Sequence, residues 1–368
     1  NKQITLISNV FFVCLENRGC IMTSIMKKEI FEEPGVVKNL IQNYVTPDDK
    51  INIDLPQKVD NIVIVASGSS YNCAAIAAPL FIEYANIPCE CEYSSEFILQ
   101  KKHFITPDSL YIFVSQSGET SDTLNALKMI KQEGVKTMCI TNAKDSAMWK
   151  LCDYKILSDA GEEKSIASTK ALTAQILCSM LVLLKLKHKN NSDISGYLNT
   201  LRRLPAYLER IKSDEEKIEE TAKTVATYNN ISILGNKNYY PIAKEGALKI
   251  KETCYLNVMA YPFGEFMHGH VAVLNQKSIV IAIIDEENAQ FAVRNLKKIK
   301  EEYNPQIVCI TSVQEVKAGD INIYIKTKRK MKAIFGSLMT LQLIACKMAA
   351  ILDKNPDSPK GLKKVVKD

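Results

Sequence analysis

Short runs that are apolar at almost every position alternate along this chain with longer stretches whose apolar residues recur at three- and four-residue spacing. The first kind is how a strand covered on both sheet faces reads, and the second is one face of a helix. Ile62-Val-Ile-Val-Ala66 precedes a helical stretch through Cys73–Glu83, and Leu110-Tyr-Ile-Phe-Val114 precedes another over Thr123–Ile130. Lys136–Thr141, Tyr154–Leu157 and an apolar helix from Thr169 to Lys187 follow. The order then repeats. Ile231-Ser-Ile-Leu-Gly235 leads into a helix ending at Glu252; Ser278–Ile284, Gln306–Ile310 and Ile321–Ile325 come next, and an apolar helix over Ala333–Leu352 closes the series. This alternation predicts an α/β protein built from two tandem flavodoxin-like units, each a parallel sheet flanked by helices.

The same pattern sets the expected boundaries. Residues 53–192 form the first unit, 193–229 a helical connector, 230–352 the second unit and 353–368 a C-terminal tail, with 1–52 as an N-terminal segment. Ser195–Asn229 reads as a charged helical stretch, a solvated connector that packs one stripe, because Arg202, Arg203, Glu209, Arg210 and Glu215–Lys217 alternate in sign. Each unit ends in a helix too apolar to face water. The other unit or a second copy of the chain must cover it, so a homodimer is expected. At the N-terminus, Ile4 to Leu15 has the apolar length of a secretory segment but is too short to span a bilayer, and Glu16-Asn-Arg-Gly19 offers no cleavage site. A start at Met22 or Met26 is the simpler reading, which leaves residues 1–21 as not native.

Composition narrows the partners. The 368 residues are 46% hydrophobic and 24% charged, enough to bury substantial cores, and a net charge of +6 spread along the chain does not point to nucleic acid. A membrane is not expected either. Eleven cysteines include no C-x-x-C, with Cys89 and Cys91 the nearest pair, which fits reduced thiols in a cytoplasmic protein. Only four histidines are present and none clusters with cysteine at metal-ligand spacing. Neither a metal nor another cofactor is expected.

The candidate chemistry lies at two places. Ser115-Gln-Ser-Gly-Glu-Thr120 falls between a strand and a helix, where backbone N–H groups and the helix dipole suit an anion and Ser115, Ser117 and Thr120 add neutral donors. Neither the Walker spacing nor G-x-G-x-x-G is present, so a sugar phosphate is expected there in preference to a nucleotide. In the second unit, Glu245, Lys249 and Glu252 stand at i, i+4 and i+7 of one helix and share a face. Moving a proton between adjacent carbons of an open-chain sugar needs such a positioned carboxylate, with an ammonium to balance charge. A helix pair of this kind is also common on solvated surfaces.

S-Q-S-G-E-T is accompanied, in order, by Gly68-Ser-Ser70, Ser165-Ile-Ala-Ser-Thr-Lys170, Glu245-Gly-Ala-Leu-Lys-Ile-Lys-Glu252 and Gly264-Glu-Phe-Met-His-Gly269. From about Met26 onward this set resembles the SIS sugar-isomerase family, and within it the isomerase portion of glutamine–fructose-6-phosphate aminotransferases. The resemblance implies two tandem SIS units and places the phosphate on Ser69, Ser70, Ser115, Gln116, Ser117 and Thr120, with Ser168 and Thr169 on the sugar hydroxyls. It makes Glu252 the catalytic carboxylate, Lys249 a neighbouring lysine and Glu245 its orienting partner. His268 would open the sugar ring, although this chain has Met267 and His270 where the family has lysine and proline. Lys364, in a tail resembling D-x-P-R-N-L-A-K-S-V, would form a Schiff base; Lys360 and Gly361 replace Arg-Asn there.

The sixty residues before the first expected strand are too few for a glutaminase domain. The expected activity is therefore an amino-sugar-phosphate isomerase acting between glucosamine 6-phosphate and fructose 6-phosphate, either deaminating or using ammonia supplied freely or by a separate glutaminase subunit. A fructosamine-type deglycase and a non-catalytic sugar-phosphate sensor are the alternatives.

Overall fold

A computed structural model describes residues 24–100, 105–190 and 192–365, together with the backbone of two short strands, Phe12–Val13 (β1) and Ile21–Met22 (β2), which pair antiparallel. Apart from β1 and the first residue of β2, the segment expected not to be native, 1–21, lies outside the described residues.

Ten further strands form two five-stranded parallel sheets. The first contains Asn61–Ala66 (β3), Cys89–Tyr93 (β4), Ser109–Ser115 (β5), Thr137–Thr141 (β6) and Tyr154–Leu157 (β7) in the order β4-β3-β5-β6-β7. The second contains Asn230–Gly235 (β8), Val258–Pro262 (β9), Ser278–Ile284 (β10), Gln306–Thr311 (β11) and Ile321–Tyr324 (β12) in the order β9-β8-β10-β11-β12. Both are the 2-1-3-4-5 order of flavodoxin-like folds, so the tandem arrangement expected from the sequence is present.

Among the helices, the first unit contributes Ile25–Tyr44 (α1), Gly68–Ala85 (α2), Ser94–Gln100 (α3), Ser121–Gln132 (α4), Ala147–Leu151 (α5) and Lys170–Lys189 (α6). Ser195–Arg202 (α7), Leu204–Ser213 (α8) and Glu215–Val225 (α9) connect the halves. Tyr239–Cys254 (α10), Phe263–Phe266 (α11), Ala289–Tyr303 (α12) and Lys330–Ile351 (α13) complete the second.

Strand periodicity divides the core. Ile62, Ile64, Leu110, Ile112, Ile231, Ile279 and Ile281 face a shared core with α2, α6, α10 and α13, whereas Val63, Val65, Tyr111 and Phe113 face a private cluster under α4, and Val280, Ala282 and Ile284 another under α12. The two apolar closing helices, α6 and α13, are long enough to cross a membrane, but 83% and 89% of their most apolar windows are buried inside the protein. Burial of these helices therefore needs no second copy. At Gly246 on α10, a Cβ would stand 2.8 Å from Leu341 on α13, so this small residue permits close packing of the two helices.

Three local expectations change. The connector is three helices, broken at Arg203 and Asp214, where one stretch was expected, and the stripe it packs is Leu198, Leu204, Leu208, Ile218 and Val225. The edge strands β4 and β9 went unread because Cys-Glu-Cys-Glu-Tyr alternates apolar residues with glutamate and Val-Met-Ala-Tyr-Pro is short and ends in a proline. The helix α1, unread in the N-terminal segment, packs Met26, Ile30, Val37 and Leu40 into the shared core.

Candidate active site

In a sheet of this order the chain leaves its central strands in opposite directions, so a crevice opens at their C-terminal ends. Between β3 and β5 it forms a cleft of about 290 Å³. Ser69, Ser70, Ser115, Gln116, Ser117 and Thr120 line it from the first half.

The turn after β5 is shaped by its own hydroxyls. Ser115 Oγ accepts the Gly118 N–H at 3.1 Å and lies 3.1 Å from Thr120 Oγ1, while Ser117 Oγ accepts the Glu119 N–H at 3.1 Å. Gly118 has φ +64°, and a Cβ there would meet Ser146 Oγ at 2.3 Å. Only glycine fits. The turn opens directly into α4, and Ser67 with Gly68, at φ +57°, opens into α2, so two helix N-termini border the cleft. Such a place favours an anion without a positive side chain.

The second half enters through α10. Lys249 is fully buried; its Nζ donates to Ser69 Oγ at 3.1 Å and forms ion pairs with Glu252 Oε2 at 2.6 Å and Glu245 Oε1 at 3.2 Å. Glu245 in turn accepts from Ser69 Oγ at 2.9 Å and from Asn72 Nδ2 at 2.7 Å. Burial alone would push the Lys249 pKa down; the two carboxylates outweigh it and hold the ammonium above its usual value. Glu252 alone of this trio lines the cleft, with its side chain 20% exposed.

The C-terminal tail closes the third side. Lys363 and Lys364 line the cleft, and Lys364 Nζ reaches Glu163 Oε2 at 2.5 Å and the Ser165 carbonyl at 2.6 Å. The tail is anchored upstream, where the Asp357 carboxylate accepts the N–H groups of Ile25 and Met26 at 2.9 and 2.7 Å, and its carbonyl accepts from Ile166 at 3.0 Å. Glu163, which the sequence reading missed, also holds the start of α6: its Oε1 accepts from the Thr169 and Ala171 N–H groups at 2.8 and 3.0 Å. An acid just ahead of the Ser165–Lys170 motif was its available signal.

Two expected contacts are not made. Thr169 is fully buried with its N–H on Glu163, so it cannot touch a sugar in the cleft; Ser168, which lines the cleft and donates to Glu163 at 3.2 Å, can. His268 is exposed in the turn after α11, following edge strand β9, and does not line the cleft. Glu245 and Lys249 also lie behind the lining, where they can hold Glu252 without meeting substrate.

The SIS domain profile matches this chain twice, at residues 57–185 and 225–352. The chain belongs to the SIS domain family. Its two SIS units resemble the isomerase portion of glutamine–fructose-6-phosphate aminotransferases [isomerizing]: that of Campylobacter jejuni is 32% identical over 348 residues and that of Buchnera aphidicola (Acyrthosiphon pisum) 38% over 356. Each match covers 93% of this chain and 58% of the relative's length. Among solved structures, the C-terminal domain of glucosamine-fructose-6-phosphate aminotransferase from Francisella tularensis superimposes with a TM-score of 0.87 at 29% identity, covering 91% of this chain and 98% of that one. Glucosamine-6-phosphate deaminase from Thermotoga maritima shares the tandem fold, with a TM-score of 0.76 at 23% identity over 93% and 99% of the two chains.

Proposed function

We propose that this chain interconverts glucosamine 6-phosphate and fructose 6-phosphate by proton transfer on an open-chain enolamine, either deaminating or aminating with ammonia from elsewhere. The supporting observation is the meeting of a hydroxyl-lined anion cradle, Glu252 and Lys364 on one cleft of about 290 Å³. With the phosphate among Ser69, Ser70, Ser115, Gln116, Ser117 and Thr120, the sugar carbons extend toward α10 and the tail, and Ser168 meets a hydroxyl. Glu252 would take a proton from one carbon and return it to its neighbour. Lys249 and Glu245 would hold that carboxylate in place from behind. Lys364, released from Glu163 after giving up a proton, would add its amine to the ketose carbonyl and expel water to form an imine.

Because the chain spans 58% of the length of the aminotransferases it matches, the ammonia source is part of the proposal: free ammonia or a separate glutaminase. A cytoplasmic homodimer completes it. Since His268 is exposed and outside the cleft, ring opening by that imidazole requires a second copy to carry it in.

Pure protein incubated with glucosamine 6-phosphate is expected to release ammonia and ketose phosphate in equal amounts. Glu252→Gln is expected to lower turnover about a hundred- to ten-thousandfold while sugar-phosphate binding is retained. Tight binding by the wild type without product would make the chain a sensor, and unchanged turnover in the variant would remove Glu252 from the mechanism.

A further inference from the structure

Lys364 meets two acceptors, and only one of them is a base. Its Nζ donates to the Ser165 carbonyl at 2.6 Å and to Glu163 Oε2 at 2.5 Å. An amide carbonyl cannot take the proton away, whereas a carboxylate can. Among the described residues no other acid pairs with Lys364, and Glu252, the other carboxylate lining the cleft, is engaged by Lys249.

The two oxygens of Glu163 have separate tasks. Oε1 accepts the Thr169 and Ala171 N–H groups at the start of α6, at 2.8 and 3.0 Å, which fixes the carboxylate in the wall of the cleft. Oε2 is left for groups that line the cleft, Lys364 and the Ser168 hydroxyl, which donates at 3.2 Å. The loop itself is held from behind. Glu29 on α1 accepts the Lys164 N–H at 2.5 Å and the Ser165 N–H at 3.3 Å, so Glu163 and the Ser165 carbonyl are presented to Lys364 by a tethered segment.

The setting suits a proton that moves between the two side chains. That of Glu163 is fully shielded from water and that of Lys364 is 25% exposed, an opening that a sugar in the cleft would cover. With water excluded, a charged pair loses much of its advantage over the neutral amine and acid. The charges around the pair are Glu29 and Glu33 of α1, Lys170 of α6, Glu252 of α10 in the cleft wall and Lys363 next to it on the tail.

We propose that Glu163 is a catalytic residue, the base that takes a proton from Lys364 and returns it to the departing oxygen as the imine forms. This role rests on the reading that Lys364 forms an imine with the ketose. Oε2 accepts one ammonium proton, and the freed lone pair forms the N–C bond at the ketose carbonyl while the C=O π pair moves to oxygen. A second proton passes from nitrogen to that oxygen and gives the carbinolamine. Glu163 then returns its proton to the hydroxyl, the C–O bond breaks, water leaves and the iminium remains beside a restored carboxylate. The neutral pair holds as many protons as the ion pair, so its population does not follow the pH of the solution. Without Glu163 the lysine must lose its proton to solvent, and its reactive fraction rises with pH.

The test is reductive trapping: the full chain is mixed with fructose 6-phosphate, quenched with borohydride after timed intervals, and the adduct at Lys364 is measured by peptide mass spectrometry across pH 7 to 10. Glu163→Gln, whose amide oxygen still accepts the α6 N–H groups, is expected to form the adduct about a hundredfold more slowly at pH 7. Affinity for fructose 6-phosphate should be retained, and the gap should close toward pH 10, where an unassisted lysine sheds its own proton. A loss equal at every pH, or one that follows a loss of affinity, is what a merely structural residue gives and overturns the proposal. An adduct that forms as fast in the variant as in the wild type overturns the role of Glu163 and leaves the imine standing; no adduct at Lys364 in the folded wild type overturns the imine, and this role with it. Should Glu163→Gln fail to fold, Glu163→Asp draws the carboxylate back by one methylene, and it is expected to show the same slowing at pH 7 that fades toward pH 10. Unslowed trapping in that variant overturns the proposal.

Discussion

At the ends of β3 and β5 the first half presents Ser69, Ser70, Ser115 and Ser117, while at the matching ends of β8 and β10 the second half presents Asn236, Asn238 and Asn288. Both crevices are lined by two carboxylates and two lysines, Glu163, Glu252, Lys363 and Lys364 in the first and Asp285, Glu287, Lys237 and Lys330 in the second. What sets them apart is the row of hydroxyls beside the N-termini of α2 and α4, which offers an anion neutral donors and has no serine or threonine counterpart in the lining of the second. The halves also differ in their backing helices. On α1, Glu29 and Glu33 are buried, and desolvation raises their pKa values to about 7 and about 8. On α9, Glu215 pairs with Lys27 and Lys347, and Glu219 with Lys347 and Lys223, which outweighs desolvation and holds both below the usual carboxylate range.

The largest way to break this comparison is to cut the tie between the halves. Lys249→Met leaves Glu245 and Glu252 without their buried cation, and is expected to cost about 3–5 kcal/mol, read as a lower denaturant midpoint. A cost near zero would mean that the Ser69–Glu245–Lys249–Glu252 network does not hold the halves together.

Next is the pH dependence of α1. Glu33 titrates near 4.5 when unfolded and about 8 when folded, so its contribution is fully present below 4.5 and falls as pH rises, until it is lost above 8. Over that window it amounts to at most about 5 kcal/mol. Glu33→Gln is expected to flatten the slope of stability between pH 5 and 8, roughly the window set by those two values, as read by melts across pH. An unchanged slope would show that Glu33 does not keep its proton.

The smallest effect sharpens the contrast at the strand ends. Gly118→Ala puts a Cβ against Ser146 at a positive φ, so it is expected to cost about 1–3 kcal/mol and to weaken sugar-phosphate binding. Unchanged sugar-phosphate binding would mean that the shape of this turn does not set the cradle.

Much of the architecture was legible in advance, for a local reason. Doubly covered strands such as Ile62–Ala66 and Ser278–Ile284 must be apolar throughout, and the repeated order of such runs reveals the duplication. The hydroxyl-rich turn was legible because Ser115–Thr120 is contiguous, and the face shared by Glu245, Lys249 and Glu252 because helical spacing alone aligns them. Of the edge strands, β7 and β12 were read, whereas β4 escaped because glutamates interrupt it and β9 because its short run ends in Pro262.

Contacts between residues far apart in the chain were settled only by the tertiary structure. The amino-acid order determined two doubly wound units, a hydroxyl-rich turn and an acid–base helix, because each depends on neighbours within a few residues. Folding alone decided that Ser69 reaches Glu245 across 176 positions, that Glu163 meets Lys364 across 201, and that Thr169 and His268 stand apart from the cleft. Such pairings follow from how helices pack between two sheets, and packing obeys shape and burial over distances that no local pattern encodes.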